Sequence, residues 1–539
     1  MRSIAAQECD NRTNRGCDVS PNTWDLIVVG AGSAGAPLAT RAAERGMKVL
    51  LLEAGPDYRS KDMPEVWRSP NPMRALLDPA ATADLIWQGL TATRTDKQAP
   101  APFWRGRGVG GSSAVNGQIA IRPPMLDFAE WAAAGCAGWA PEDVLPYFAK
   151  LEDDEEFGEE PYHGRGGPIP IYRTPQSEWG AVDHALHRAA LAAGLPWAPD
   201  VNAPDATGVS PYPINSRNGR RVSTNDAYLE GGRRLPTLTI RGDSLVDRVL
   251  ISGGRAVGVA VVSGGASTTE YADRVVLSAG TIHSPAILLR SGVGPADELR
   301  GLGIDVVAHL PVGRGLQDHP VIALAIPLNE RSAVTSPDDR HTNVCVRYTS
   351  DSPFAQENDV MITAGNQNVL AMEIADLAFG AGAFHLWANQ VHSRGSVTLA
   401  STDPTVQPLV HERMLADERD LARMRGATRQ LVELASGDAV GEITSTSIEH
   451  LNKALFAVVD DDAELDDHLL RTAFDAQHPT STCRMGAPSD PDTVVDPACR
   501  VLGIDGLHVV DASIFPTVPR ANTNLAAIMV GELMADRLV

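Results

Sequence analysis

Short apolar runs separated by glycines and small residues set the pattern near the start of the chain. In WDLIVVGAGSAGAPLATRAAERGMKVLLLEAG, Leu26–Val29 and Val49–Leu52 are apolar throughout, and Ala36–Glu44 between them is rich in alanine. Uninterrupted apolar runs of this length predict strands buried on both faces, and the alanine-rich segment has the length and composition of a helix. Together they predict a βαβ unit. Further along, DRVVLSAG predicts another buried strand, followed by small residues, a helix over Ser284–Arg290 and a Gly-Val-Gly stop. Near the C-terminus, LAAIMVGELMADRL predicts an apolar helix just after Asn522. No apolar run approaches the roughly 20 residues that a membrane-spanning helix needs, so no membrane partner is expected. The opening MRSIAAQECDNRTNRGCDVS is polar and lacks the apolar core of a secretory signal. Residues 1–23 are expected to be a disordered extension.

Between the first strand and its helix, Gly30, Gly32 and Gly35 form GxGxxG. The first glycine allows a tight turn, the second lets backbone approach a pyrophosphate, and the third lets helix pack on strand. Ser33 and Ala34 then open a helix whose free N–H groups face the phosphates. Glu53, followed by Ala54, ends the second strand, where a carboxylate can accept both ribose hydroxyls. An acid there disfavours a 2′-phosphate, which leaves FAD or NAD(H) as ligand and not NADP(H).

Composition changes this picture little. At 539 residues, with 43% hydrophobic and 21% charged residues, the chain suits two or three ordered domains sharing a large core. The formal charge of -22 argues against nucleic acid, because phosphate binding needs a basic surface. It also leaves room for a field that favours cationic substrates. Cys9, Cys17, Cys136, Cys345, Cys483 and Cys499 are scattered without metal-like spacing, so free thiols, no metal and a cytoplasmic setting are expected.

GRGVGGSSAVNGQIAIRPPMLDFAEW (Gly106–Trp131) carries a glycine-serine loop too dense for a helix or strand interior. SAGTIHSPAILLRSGVG (Ser278–Gly294) supplies a second small-residue βα turn, which suits a large dinucleotide held across several turns. These stretches, with GRGLQDH (Gly313–His319), HPTSTCRMG and the terminal DASIFPTVPRANTNLAAIMVGELMAD, resemble the glucose–methanol–choline (GMC) flavoprotein oxidoreductases. The resemblance runs in order from about Trp24 to the C-terminus. It implies an α/β fold, with a Rossmann-like FAD domain built from discontinuous segments and a substrate domain on a mixed or antiparallel sheet. The FAD domain is expected over 24–163, 222–318 and 501–539, and the substrate domain over 164–221 and 320–500. Besides the residues above, the resemblance places Arg105, Gly110, Gly111, Ser112, Asn116, Gly117, Val246, Ala279, Asp511, Ala512 and Thr523 against FAD. Some members attach FAD through a histidine in the GGSSAVN loop; the position here is Val115, so non-covalent FAD is expected.

Alcohol oxidation by a flavin requires a base for the hydroxyl proton, a hydride acceptor and a hydrogen-bond partner for the substrate oxygen. A histidine titrates near neutrality and can serve as base. The resemblance assigns that role to His478 in FDAQHPTSTCRMG and the oxygen-holding role to Asn522, eleven residues after Asp511. An amide cannot titrate, so His478 is the sole base proposed. Asn522, Thr523 or Asn524 can equally cap the helix that follows. His319 is expected to be structural. Within the family the chain most resembles bacterial oxidases of primary alcohols, of the hydroxymethylfurfural and aryl-alcohol type. FHLWANQVHSRGSVTL then places Trp387 over the substrate. The residue before the catalytic histidine is usually aromatic in the family, and here it is Gln477, with Asp475 nearby. With the negative charge, this points to a polar or cationic primary alcohol such as an amino sugar, an aminoglycoside or a nucleoside. An aryl-alcohol or hydroxymethylfurfural-type oxidase, a choline-like dehydrogenase with an acceptor other than oxygen, and a non-redox lyase on the same scaffold stay open.

Overall fold

The structure, a computed structural model, describes residues 23–69, 71, 75, 78–336, 339–367 and 381–539. The extension expected over residues 1–23 therefore lies, apart from Thr23, outside the described residues, as do Cys9 and Cys17. Both apolar runs at the start of the chain form strands, Trp24–Val29 and Val49–Leu52, in which Leu26–Val29 and Val49–Leu52 are buried. They pair in parallel, with Leu238–Arg241 beyond the second and the end of Ala266–Leu277 beyond the first. Leu507–Val509 adds a fifth parallel strand on the far side of Leu277. The register aligns Val29 with Leu52 and Leu277, so the chain leaves the sheet at one edge as Gly30, Glu53 and Ser278. Ligands of open parallel sheets bind outside these carboxyl ends. The first half of Ala266–Leu277 turns instead into an antiparallel meander with Arg255–Ser263 and Leu245–Ser252.

Helix Gly35–Glu44 crosses from the first strand to the second and packs on the C-terminal helix Thr523–Leu538, where Gly531 sits against the Ala34 carbonyl. The helix expected over Ser284–Arg290 starts four residues earlier, at Gly280. Weak helix formers hid that first turn in the sequence. The Asp511 carboxylate stabilises it, accepting from the Gly280 amide at 2.8 Å and from the Ser284 hydroxyl at 2.6 Å.

A second sheet is antiparallel throughout, in the order Phe474–Asp475, Pro320–Pro327, Ala381–Ala388, Val360–Gly365, Val344–Tyr348 and Gly208–Pro211. Alternation along Ala381–Ala388 gives this sheet two different faces. Phe384, Leu386 and Ala388 join a core with Val182 and Leu186 of helix Ala181–Ala192 and Met424 and Leu431 of helix Glu418–Ala435. His385 and Trp387 point the other way, into a cavity above the parallel sheet. No helix among the described residues is long and apolar enough to cross a membrane.

Candidate active site

A cavity of about 1030 Å³ runs from the carboxyl edge of the parallel sheet to the inner face of the antiparallel one. Gly30, Gly32, Glu53 and Val246 line one end; Trp387, His478 and Asn522 line the other. Every cofactor position expected from the sequence lies on its wall except Gly35 and Gly110. Those two shape the turns behind it. A Cβ on Gly35 would stand 1.9 Å from the Gly30 carbonyl oxygen, and the Gly110 amide donates to the Ala31 carbonyl at 2.8 Å.

Glu53, expected to accept ribose hydroxyls, is already engaged by backbone. Its carboxylate accepts from the amides of Ala31 (2.9 Å), Gly55 (3.0 Å) and Gly108 (2.9 Å), so it ties three loops together. Burial pushes its carboxyl above the usual range, and the three amide donors oppose that rise. A carboxylate has about four acceptor positions, so room remains for one ribose hydroxyl and not two. The two glycine turns meet across the cavity, where a Cβ on Gly111 would lie 2.7 Å from Gly32 Cα. The result is a wall of bare backbone at the N-terminus of helix Gly35–Glu44, as a pyrophosphate requires. Asn524, whose Oδ1 accepts from Ser33 Oγ at 2.8 Å, keeps a buried Nδ2 without a hydrogen-bond partner among the described residues. The cavity volume, the backbone cradle and this spare donor fit FAD.

At the other end a single chain of hydrogen bonds fixes the state of His478. His319 Nε2 lies 2.9 Å from the Pro519 carbonyl oxygen, which can only accept. His319 Nε2 therefore carries the proton, and its bare Nδ1 accepts from His478 Nδ1 at 3.1 Å. That leaves His478 Nε2 with a lone pair, which accepts from Asn522 Nδ2 at 3.0 Å. Asn522 Oδ1 in turn accepts from the Tyr212 hydroxyl at 2.7 Å. Burial lowers the His478 pKa well below 6.5, aided by His319 and Arg105, and lowers that of His319 to about 4. Burial raises the Tyr212 pKa well above 10, so the phenol keeps the proton it donates.

Asn522 occupies the N-cap position of the C-terminal helix, yet its side chain does not cap it. Both ends of the amide are used by His478 and Tyr212. His319, expected to be structural, contacts the His478 ring directly; GRGLQDH was the signal that pointed to it. Tyr212 had no sequence signal, because strand Gly208–Pro211 brings it in by pairing with residues 344–347.

Trp387 stands beside the pair, its ring centroid 5.3 Å from that of His478, with Nε1 lacking a partner among the described residues. Gln477 and Asp475 also line the cavity, but both are committed elsewhere. Gln477 Oε1 accepts from the Trp104 amide (3.1 Å) and from Arg105 (2.6 Å), and its Nε2 donates to Asp475. Asp475 is ion-paired with Arg94 and packs with the buried carboxyls of Asp318 and Glu412. A buried carboxylate needs a partner charge, and Arg94, 381 positions away in the chain, supplies it. Arg105 also binds the Gln477 carbonyl at 2.9 Å. The sequence did not single out His341, Thr363 and His385, which line the same region.

This arrangement is that of a flavoprotein alcohol oxidoreductase. The chain matches the GMC oxidoreductase family over residues 24–321 and again over 391–531, and it belongs to that family; it is FAD-dependent and acts on CH–OH donors. It is 34% identical over 534 residues to 5-(hydroxymethyl)furfural oxidase of Methylovorus sp. (strain MP688), covering 96% of this chain and 98% of that protein. Oxygen-dependent choline dehydrogenase of Burkholderia pseudomallei (strain 1710b) is 36% identical over 557 residues, covering 96% and 93%. The crystal structure of pyridoxine 4-oxidase from Mesorbium loti superposes with a TM-score of 0.84 at 30% identity, covering 96% of this chain and 99% of that one.

Tyr212→Phe should lower the rate of flavin reduction by about 3- to 10-fold with FAD content unchanged, because one hydrogen bond that orients Asn522 is lost. Anaerobic stopped-flow spectroscopy measures it.

Proposed function

We propose that the enzyme oxidises a primary alcohol, a hydroxymethyl group on a flat and uncharged but polar ring, to the aldehyde. The carrying observation is the His478–Asn522 pair, which presents a lone pair and an N–H 3.0 Å apart at the cavity wall. A substrate hydroxyl that replaces this mutual hydrogen bond donates to His478 Nε2 while its oxygen accepts from Asn522 Nδ2. The hydroxyl proton then moves to Nε2. The Nδ1 proton stays on the hydrogen bond to His319, which steadies the imidazolium, and the Asn522 amide stabilises charge on the oxygen. FAD, when bound, accepts the hydride that leaves the carbon.

The wall supports an uncharged substrate over the cationic one that the net charge suggested. Its three carboxylates, Glu53, Asp475 and Asp511, all have partners, which weakens the amino-sugar and aminoglycoside reading. Trp387 offers a flat apolar face, and Thr363, His341 and His385 offer uncharged polar atoms. Relatives that act on hydroxymethylfurfural and pyridoxine, both ring alcohols by name, support the same class. Val115, which joins Ala114, Trp67, Leu85 and Ile86 in an apolar cluster, supports FAD held without a covalent bond. The separate cores of the two sheets support the proposed division into FAD and substrate domains.

The test is a panel of primary alcohols, aromatic, heteroaromatic and cationic, mixed anaerobically with the enzyme and then exposed to oxygen. Uncharged ring alcohols are expected to bleach the flavin fastest. Faster bleaching by cationic alcohols would restore the charge-based reading, and bleaching by none would favour a lyase. Rapid return of colour in oxygen identifies an oxidase; slow return identifies a dehydrogenase with another acceptor.

A further inference from the structure

We propose that His341 and His385 form a second polar subsite, which holds an oxygen substituent on the side of the substrate ring away from the reacting hydroxymethyl group. The inference rests on the ring-alcohol reading above. His385 precedes Trp387 by two residues on the cavity face of strand Ala381–Ala388. Two residues advance about 6.7 Å along an extended strand, and Trp387 packs directly on His478. The imidazole of His385 therefore stands one ring's width further from the base. Phe474, its ring centroid 6.5 Å away and edge-on, closes that side.

The space for this imidazole is built into the sheet. A Cβ at position 365 would come within 2.8 Å of His385 Cε1, and the residue there is Gly365. His341 lines the same cavity from the loop before strand Val344–Tyr348, held by its carbonyl accepting from the Asn366 amide at 2.7 Å. Its Nδ1 is buried and lacks a hydrogen-bond partner among the described residues.

Two buried histidines show the contrast of full engagement: His163 lies between Glu152 and Asp200, and His319 between Pro519 and His478. No ring hydrogen bond joins His341 or His385 to another described residue, so their polar atoms are left to a ligand. Burial lowers the pKa of His385 to about 4 and that of His341 well below its ordinary value, so both rings are uncharged near neutrality. A neutral imidazole offers one N–H and one lone pair. The complement is a carbonyl or hydroxyl oxygen, not a cation. Buried polar groups left unpaired are costly, so a ring lacking that oxygen is discriminated against.

The experiment compares two ring alcohols, one bearing a formyl or hydroxyl group opposite the hydroxymethyl and one bearing hydrogen there. Wild type should favour the first in kcat/KM by about 10-fold or more. His385→Ala and His341→Ala should each cut that ratio by about 10-fold, and His385→Gln, which keeps a donor and an acceptor, should restore part of it. Equal losses on both rings, or no preference in wild type, would overturn the subsite. FAD content and Tm of each variant identify one that has merely misfolded, and the Gln variant then decides. If no alcohol reduces the flavin, the ring-alcohol reading has failed. Binding of the two corresponding aldehydes, followed through the flavin spectrum, still tests the subsite: an oxygen preference lost in His385→Ala and partly kept in His385→Gln sustains it, and its absence in wild type refutes it.

Discussion

Gly35→Ala should give a protein that purifies without FAD and unfolds at a markedly lower temperature than wild type. The added Cβ would lie 1.9 Å from the Gly30 carbonyl oxygen and 3.0 Å from Ser278 Cβ. Neither neighbour can give way. Gly30 is the tight turn that aims the first strand at the cavity, and Ser278 leaves the adjacent strand, its amide donating to the Val29 carbonyl at 2.7 Å. Retreat of the helix is blocked on its other side, where the Ala34 carbonyl already touches Gly531 of the C-terminal helix. Overpacking of this kind costs about 1–3 kcal/mol where side chains can adjust. Here backbone meets backbone, and the element displaced is the N-terminus that faces the phosphates. Flavin absorbance of the purified variant and its Tm are the measurements; a yellow protein with full FAD content would contradict the packing argument.

His478→Ala should retain FAD and its fold yet reduce its flavin about 10²–10⁴-fold more slowly, the range for loss of a general base. No neighbour can take over. Asn522 carries no titratable proton, and Tyr212 keeps its own because burial raises its pKa. His319 is one ring further back, with its Nε2 proton held by the Pro519 carbonyl. FAD binding survives because the phosphate cradle and Glu53 lie at the opposite end of the cavity.

The features legible in the sequence were those encoded by local pattern. Two buried apolar runs, three glycines and an acid in register announced the nucleotide-binding edge, and Val49–Leu52 forms a strand with the bounds expected of it. The His478–Asn522 pair was legible through motif order, since both residues sit in stretches typical of the family. What the sequence hid was made by long-range pairing. Asp475 pointed to a polar or cationic substrate because nothing local reveals Arg94 across 381 residues. Tyr212 and His385 reach the cavity only through the antiparallel sheet, whose register no short segment contains. The first turn of helix Gly280–Arg290 was missed because a tertiary contact, the Asp511 carboxylate, outweighs weak local propensity.

The central claim is that an uncharged His478 takes the proton of an alcohol. It is tested most directly by the pH dependence of anaerobic flavin reduction by a ring alcohol. A base whose pKa is lowered well below 6.5 stays unprotonated as pH falls through neutrality. The rate constant should therefore hold level from about pH 8 to pH 6.5 and fall only in more acidic solution. His478→Ala should show a slow rate without that acidic fall. A wild-type rate already half lost at or above pH 6.5, or flavin reduction in His478→Ala at a near-normal rate, would contradict the account.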